Sequence, residues 1–156
     1  MNLQDAIRFG KADAVAQLLK MTPTLANQPD DRGFPPLVLA TYMNQKKVAE
    51  VLIENGADIN AQDAAVGNTA LMGVAFKGNE EMVQLLIDKG ADVNIQNSKK
   101  ATALIFAVTF GHVGAAKILL DSGANASLTD DQGNTALHHA QKQGNDALQI
   151  LLSKNK

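Results

Sequence analysis

Gly56-Ala57-Asp58, Gly90-Ala91-Asp92 and Gly123-Ala124-Asn125 write one phrase three times, at steps of 34 and then 33 residues. A fixed step of that length marks a chain built from stacked structural units. Other series keep the same phase: Leu37, Leu71, Leu104 and Leu137; Asn44, Gly78, Gly111 and Gly144; Asn27, Asn60, Asn94 and Ser127. Three series in phase do not arise by accident. The period is the organising fact of the chain.

Within each unit the order of signals repeats. A turn stretch (Asp30-Asp31-Arg32-Gly33, Val66-Gly67-Asn68, Asp130-Asp131-Gln132-Gly133-Asn134) leads into Thr69-Ala70-Leu71, Thr102-Ala103-Leu104 or Thr135-Ala136-Leu137. Threonine before an apolar run suits a helix N-cap, because its hydroxyl accepts from a backbone N–H that has no helical partner. Pro35-Pro36 stand there in the second unit, and Pro36 fits the first helical position, where no N–H is needed. Asn44, Gly78, Gly111 and Gly144 then end the first helix, being types that tolerate the left-handed conformation. A second amphipathic helix follows, with apolar residues such as Val48, Val51 and Leu52, or Met82, Val83, Leu85 and Leu86, on one face. No unit can enclose its own core, so each buries its apolar face on its neighbours. Two departures stand out. The Asp63–Val66 turn carries one extra residue. Lys100 occupies the place of Gly33, Gly67 and Gly133, so its hairpin tip is either distorted or a tolerated surface change.

Composition sets bounds. The 156 residues make one domain, or four to five such units, and 46% are hydrophobic, enough for a sizeable core. The net charge of -2, with both signs interspersed, argues against binding to nucleic acid or to an anionic membrane. There is no cysteine, hence no disulfide or thiol chemistry. Residues 1–20 mix charged and apolar types and do not read as a signal peptide, and no apolar run is long enough to span a bilayer. The expected location is the cytoplasm.

The pattern resembles the ankyrin repeat. Gly133-Asn134-Thr135-Ala136-Leu137-His138 nearly reproduces that family's Gly-x-Thr-Pro-Leu-His, with Ala136 in the proline place, and the run from Val83 to Asn94 matches the second half of the repeat almost throughout. The resemblance covers essentially the whole chain. It implies an all-α fold: an ankyrin-repeat solenoid of stacked helix–turn–helix units with short β-hairpin-like turns. One domain spans 1–156, with an N-terminal cap at 1–29, units at 30–62, 63–96 and 97–129, and a C-terminal cap at 130–156. Gln149 stands where Ala49, Val83 and Ala116 stand earlier, which is expected of a last unit with nothing stacked on it. The chain accordingly reads as a complete, capped array.

Nothing in the sequence recommends catalysis. The resemblance gives His138 the role of tying neighbouring hairpins together and puts His112 at the start of a second helix, while His139 points elsewhere on the helix of His138. No pair of ligands stands at the spacing a metal needs, and no phosphate loop, nucleophile elbow or Cys–His pair occurs. The repeated Asp residues suit side-chain-to-backbone bonding in turns. The chain is expected to be no enzyme and to hold no cofactor and no metal.

The aromatic residues carry the functional signal. Tyr42 and Phe76 lie two residues before a first-helix stop, Phe9 and Phe110 one before it, and Phe34 just after a turn glycine. The resemblance places these on the concave face, where partners of ankyrin proteins bind. Phe9, Phe34, Tyr42, Met43, Phe76 and Phe110 are the expected anchors, with Arg8, Arg32, Lys77 and Lys142 as polar rim. Phe106 maps instead to a core-facing position shared with Leu39, Gly73 and His139, where it is expected to be buried, filling space left by Gly73. The function implied is a non-catalytic protein–protein interaction module, monomeric on its own, acting as adaptor or stoichiometric inhibitor. The alternative is an accessory, chaperone-like subunit protecting one partner enzyme.

Overall fold

The computed structural model describes residues 1–154, and among them every regular element is helical. Ten α-helices occur as five pairs: α1 (Leu3–Arg8) and α2 (Ala12–Met21), α3 (Pro36–Tyr42) and α4 (Lys46–Glu54), α5 (Ala70–Lys77) and α6 (Glu80–Asp88), α7 (Ala103–Thr109) and α8 (Val113–Asp121), α9 (Ala136–Gln143) and α10 (Asp146–Ser153). A 3-10 turn, Pro23–Asn27, follows α2. The chain divides into two compact units, Met1–Ala70 and Leu71–Lys156.

In the first unit α1 packs on α2 and α3, and α2 on α4. In the second, α7 packs on α8 and α9, α6 on α8, and α8 on α10. Ala6, Ala40, Val74, Ala107 and Ala140 hold one register and are all fully enclosed. Small side chains there let first helices approach closely while Leu37, Leu71 and Leu104 fill the space beside them. Thr41 is buried too, and its hydroxyl donates to the carbonyls of Leu37 and Val38 at 2.9 and 3.2 Å, so the polar group is satisfied inside its own helix.

The helix ends are as the sequence dictates. Pro36 opens α3, and the hydroxyls of Thr102 and Thr135 accept from Ile105 and His138 N–H at 3.2 and 3.3 Å. Asn44, Gly78, Gly111 and Gly144 have φ of 58°, 68°, 75° and 65°, the left-handed turn that releases each first helix into its second. Further back-bonds join successive repeats inside each unit. Asn27 donates to Gly56 O and accepts from Asp58 N–H, and Asn94 does the same with Gly123 and Asn125.

Two expectations need correction, those for His138 and Phe106, and the alternative left open at Lys100 is decided. The turn at Lys100 is not distorted: Lys100 takes φ 60° in the place of Gly33 and Gly133. Asn97 supplies the same bonds there as Asp30 and Asp130, accepting from Lys99 and Ala101 N–H at 3.0 Å each. His138 does not reach a neighbouring hairpin. Its Nδ1 accepts from Thr135 N–H at 3.0 Å, closing a capping box within its own repeat. The bridging role belongs to His112, whose Nε2 donates to Phe76 O at 2.9 Å, and to Gln143, which donates to Val108 O and Thr109 O. Phe106, finally, is only half-buried. Its ring meets Phe76 edge-on at 6.5 Å and does not lie in the core.

Candidate protein-binding site

The turns that open the repeats are fixed by one acidic or amide side chain each. Asp30 Oδ1 accepts from Arg32 and Phe34 N–H at 2.9 and 3.0 Å; Asp130 Oδ1 accepts from Gln132 and Asn134 N–H at 3.0 Å each. The longer turn that opens the third unit is held by Asp63, almost fully buried, whose carboxylate accepts from Ala65, Val66, Gly67 and Asn68 N–H. One carboxylate thus absorbs the extra residue noted in the sequence. Backbone bonds then lace neighbouring tips together, from Ala64 N–H to Gly33 O in the first unit and from Asp131 N–H to Lys99 O in the second.

Between these tips and the first helices runs a groove in each unit. In Met1–Ala70 it has a volume of about 730 Å³, with Asp5 and Arg8 of α1 facing Asp30, Asp31 and Arg32 of the turn, and with Leu39 of α3 and Met43, which caps that helix, as its apolar side. Arg8 pairs with Asp5 at 3.4 Å, and Arg32 pairs with Asp30 at 3.5 Å while lying over the Phe34 ring at 5.0 Å. In Leu71–Lys156 the groove holds about 220 Å³ and is lined by Ile105, Phe106 and Thr109 of α7 and by Phe110, which caps that helix, with Asp130, Asp131 and His139 opposite. Here His139 Nε2 donates to Asp130 Oδ2 at 2.7 Å, both side chains being largely shielded from water.

Both turn carboxylates titrate below the usual range. For Asp130, burial alone pushes the value up, but the N–H of Asn134, the His139 ring, the N–H of Gln132 and the charge of His139 together outweigh it. For Asp30 burial is likewise opposed, by the N–H groups of Phe34 and Arg32 and by the Arg32 guanidinium.

The structure places the expected binding residues on the surface but does not gather all of them. Phe76 and Phe110 meet edge-on with centroids 4.5 Å apart, yet remain 37% and 50% exposed. With Phe106 they form one aromatic cluster, and Phe106 and Phe110 line the second groove. Arg8, Arg32 and Met43 line the first. Phe9, 61% exposed, and Tyr42, 46% exposed, stand outside its lining; Phe34 is half-buried beneath Arg32; Lys77 and Lys142 are exposed. The His139–Asp130 pair is not foreshadowed in the sequence, where His138 and His112 have places in the repeat pattern but His139 has no partner. Nine residues separate the two, and the turn folds back to bring them together.

Two ankyrin-repeat family models match the chain, one for three copies over residues 65–156 and one for many copies over residues 37–87. Among curated proteins it is similar to ZDHHC13 of Danio rerio, 33% identical over 95% of this chain and 23% of that protein. It is also similar to Neurogenic locus notch homolog protein 1 of Xenopus tropicalis, 35% identical over 85% of this chain and 5% of that protein. A third relative is the Ankyrin repeat and KH domain-containing protein CBG24701 of Caenorhabditis briggsae, 35% identical over 72% of this chain and 4% of that protein. The chain spans less than a quarter of the length of these relatives. No described helix is long and apolar enough to cross a membrane. Ankyrin repeats are protein–protein interaction modules, generally without catalysis of their own, and that is the class of function the fold provides. By its period and these matches, the chain belongs to the ankyrin-repeat family.

Proposed function

We propose that this chain binds another protein through the face made by turn tips and first helices, as an adaptor or a stoichiometric inhibitor. It acts by occupying or bridging its partner, without chemistry of its own. In this reading it is one array of five units, with boundaries at 1–29, 30–62, 63–96, 97–129 and 130–156, monomeric on its own and working in the cytoplasm.

One observation carries the proposal. Phe76 and Phe110 touch each other and still leave 37% and 50% of their surface to water. The core does not need them, since Leu104, Val108 and Leu119 already fill it. Exposed rings that are mutually braced lose little side-chain freedom on binding, which suits them as anchors. Site-specific photo-crosslinking tests the assignment. A benzophenone side chain at Phe110 should give a covalent adduct with the partner in cell extract, and one at Ile150, exposed on α10, should give none. Adducts from Ile150 alone would move the binding surface to the second helices.

A further inference from the structure

The two grooves share one feature that their other chemistry hides. Each has on its lip an aspartate, Asp31 or Asp131, immediately after the aspartate that closes the turn. Both are exposed, and neither carboxylate makes a hydrogen bond or ion pair among the described residues. In the intervening turns the same place holds Ala64 and Ser98, which carry no charge.

The groove of Met1–Ala70 shows what that carboxylate can do. Of the charges lining it, Arg8 is neutralised by Asp5, and Arg32 by Asp30. Asp31 is left over, so the groove carries one uncompensated negative charge. An acidic occupant would have to draw Arg8 off Asp5, or Arg32 off both Asp30 and the Phe34 ring, while facing three carboxylates. A basic occupant has nothing to break. Leu39, half-buried, and Met43, 40% exposed, offer apolar surface beside it for the aliphatic stem of a long cationic side chain.

We infer that this groove takes an arginine or lysine side chain of the partner protein, its stem on Leu39 and Met43 and its charged head on Asp31. The inference rests on the interaction-module reading above and adds the chemistry of the partner: a basic segment, in contrast to the acidic one that the two lining arginines suggest at first sight. Groove charges of this kind govern partner selection and encounter rate, and their effect fades with salt.

A displayed library of short randomised peptides, selected on the full chain and on Asp31→Lys, tests it. Asp31 is exposed, so the variant keeps the wild-type circular dichroism spectrum. Wild-type chain should enrich peptides containing arginine or lysine beside apolar residues, with binding that weakens as salt is raised. Asp31→Lys should lose them, while Asp131→Lys, in the other unit, should keep them. Enrichment of acidic or uncharged peptides, a basic consensus that survives Asp31→Lys, or no enrichment at all would overturn the inference. If the enriched peptides are not basic but are lost on Phe76→Ala/Phe110→Ala, the binding face stands and only the partner chemistry assigned here is wrong.

Discussion

Position for position, Asp5 and Arg8 beside Leu39 in the groove of residues 1–70 correspond to Phe106 and Thr109 beside His139 in the groove of residues 71–156. The frames around them match: a turn closed by Asp30 or Asp130, a left-handed stop at Gly10 or Gly111, and a small enclosed residue at Ala6 or Ala107. What changes is the half-buried register between frame and solvent. One groove sets the Asp5–Arg8 ion pair beside Leu39, the other the Phe106 ring beside the His139–Asp130 pair. The repeat therefore separates two tasks: caps, turns and enclosed registers make the fold, and the groove-facing register is free to vary with the ligand.

The comparison breaks first at the turn carboxylates. Each accepts two backbone N–H bonds, but the third partner is a shielded histidine at 2.7 Å for Asp130 and an exposed arginine at 3.5 Å for Asp30. Asp130→Ala should cost about 3 kcal/mol and Asp30→Ala about 2 kcal/mol in urea unfolding. Equal losses would mean that the His139 contact contributes no more than the exposed Arg32 pair. Phe106→Ala should cost about 2 kcal/mol, below the roughly 3–5 kcal/mol of a fully enclosed ring, because the groove already exposes part of it. A loss at the top of that range would return Phe106 to the core.

Acid should act on both frames alike. The folded-state values of Asp30 and Asp130 lie below their unfolded ones, so each contributes stability that is fully present above the unfolded value, about 3.9, and is lost as pH falls through the folded value. Asp30→Asn and Asp130→Asn should each flatten the decline of unfolding free energy below about pH 4. A decline as steep in both variants as in wild type would locate the acid-sensitive groups elsewhere. The smallest effect belongs to the tip at Lys100. The left-handed conformation costs a side-chain-bearing residue about 1–2 kcal/mol, and glycine's greater freedom when unfolded offsets about 0.5–1 kcal/mol of that. Lys100→Gly should therefore stabilise by about 0.5 kcal/mol, seen as a higher denaturation midpoint.

The frame was readable in the sequence because its signals are local and recur. Thr102, Thr135, Pro36 and the left-handed stops each announce a helix end within a few residues. Phe106 was misplaced because its register reads as core-facing, with Gly73 leaving room for the ring. The better signal was the variety at its register: Asp5, Leu39, Gly73, Phe106 and His139 cannot all suit an enclosed site. The groove charges were harder to see. Arg8 and Arg32 look like free cations in a list of residues, and only the folded turn and α1 show that Asp30 and Asp5 neutralise them.

Phe76 on α5 and Phe110 at the end of α7 bind the partner in this proposal and are dispensable to the core. The direct measurement is the affinity of a partner, isolated with the wild-type chain as bait, for purified wild type and for Phe76→Ala/Phe110→Ala. The expected loss is about 2 kcal/mol or more, roughly thirtyfold in Kd, from a variant that keeps its helical circular dichroism spectrum. Unchanged affinity, or a variant that unfolds, would contradict it.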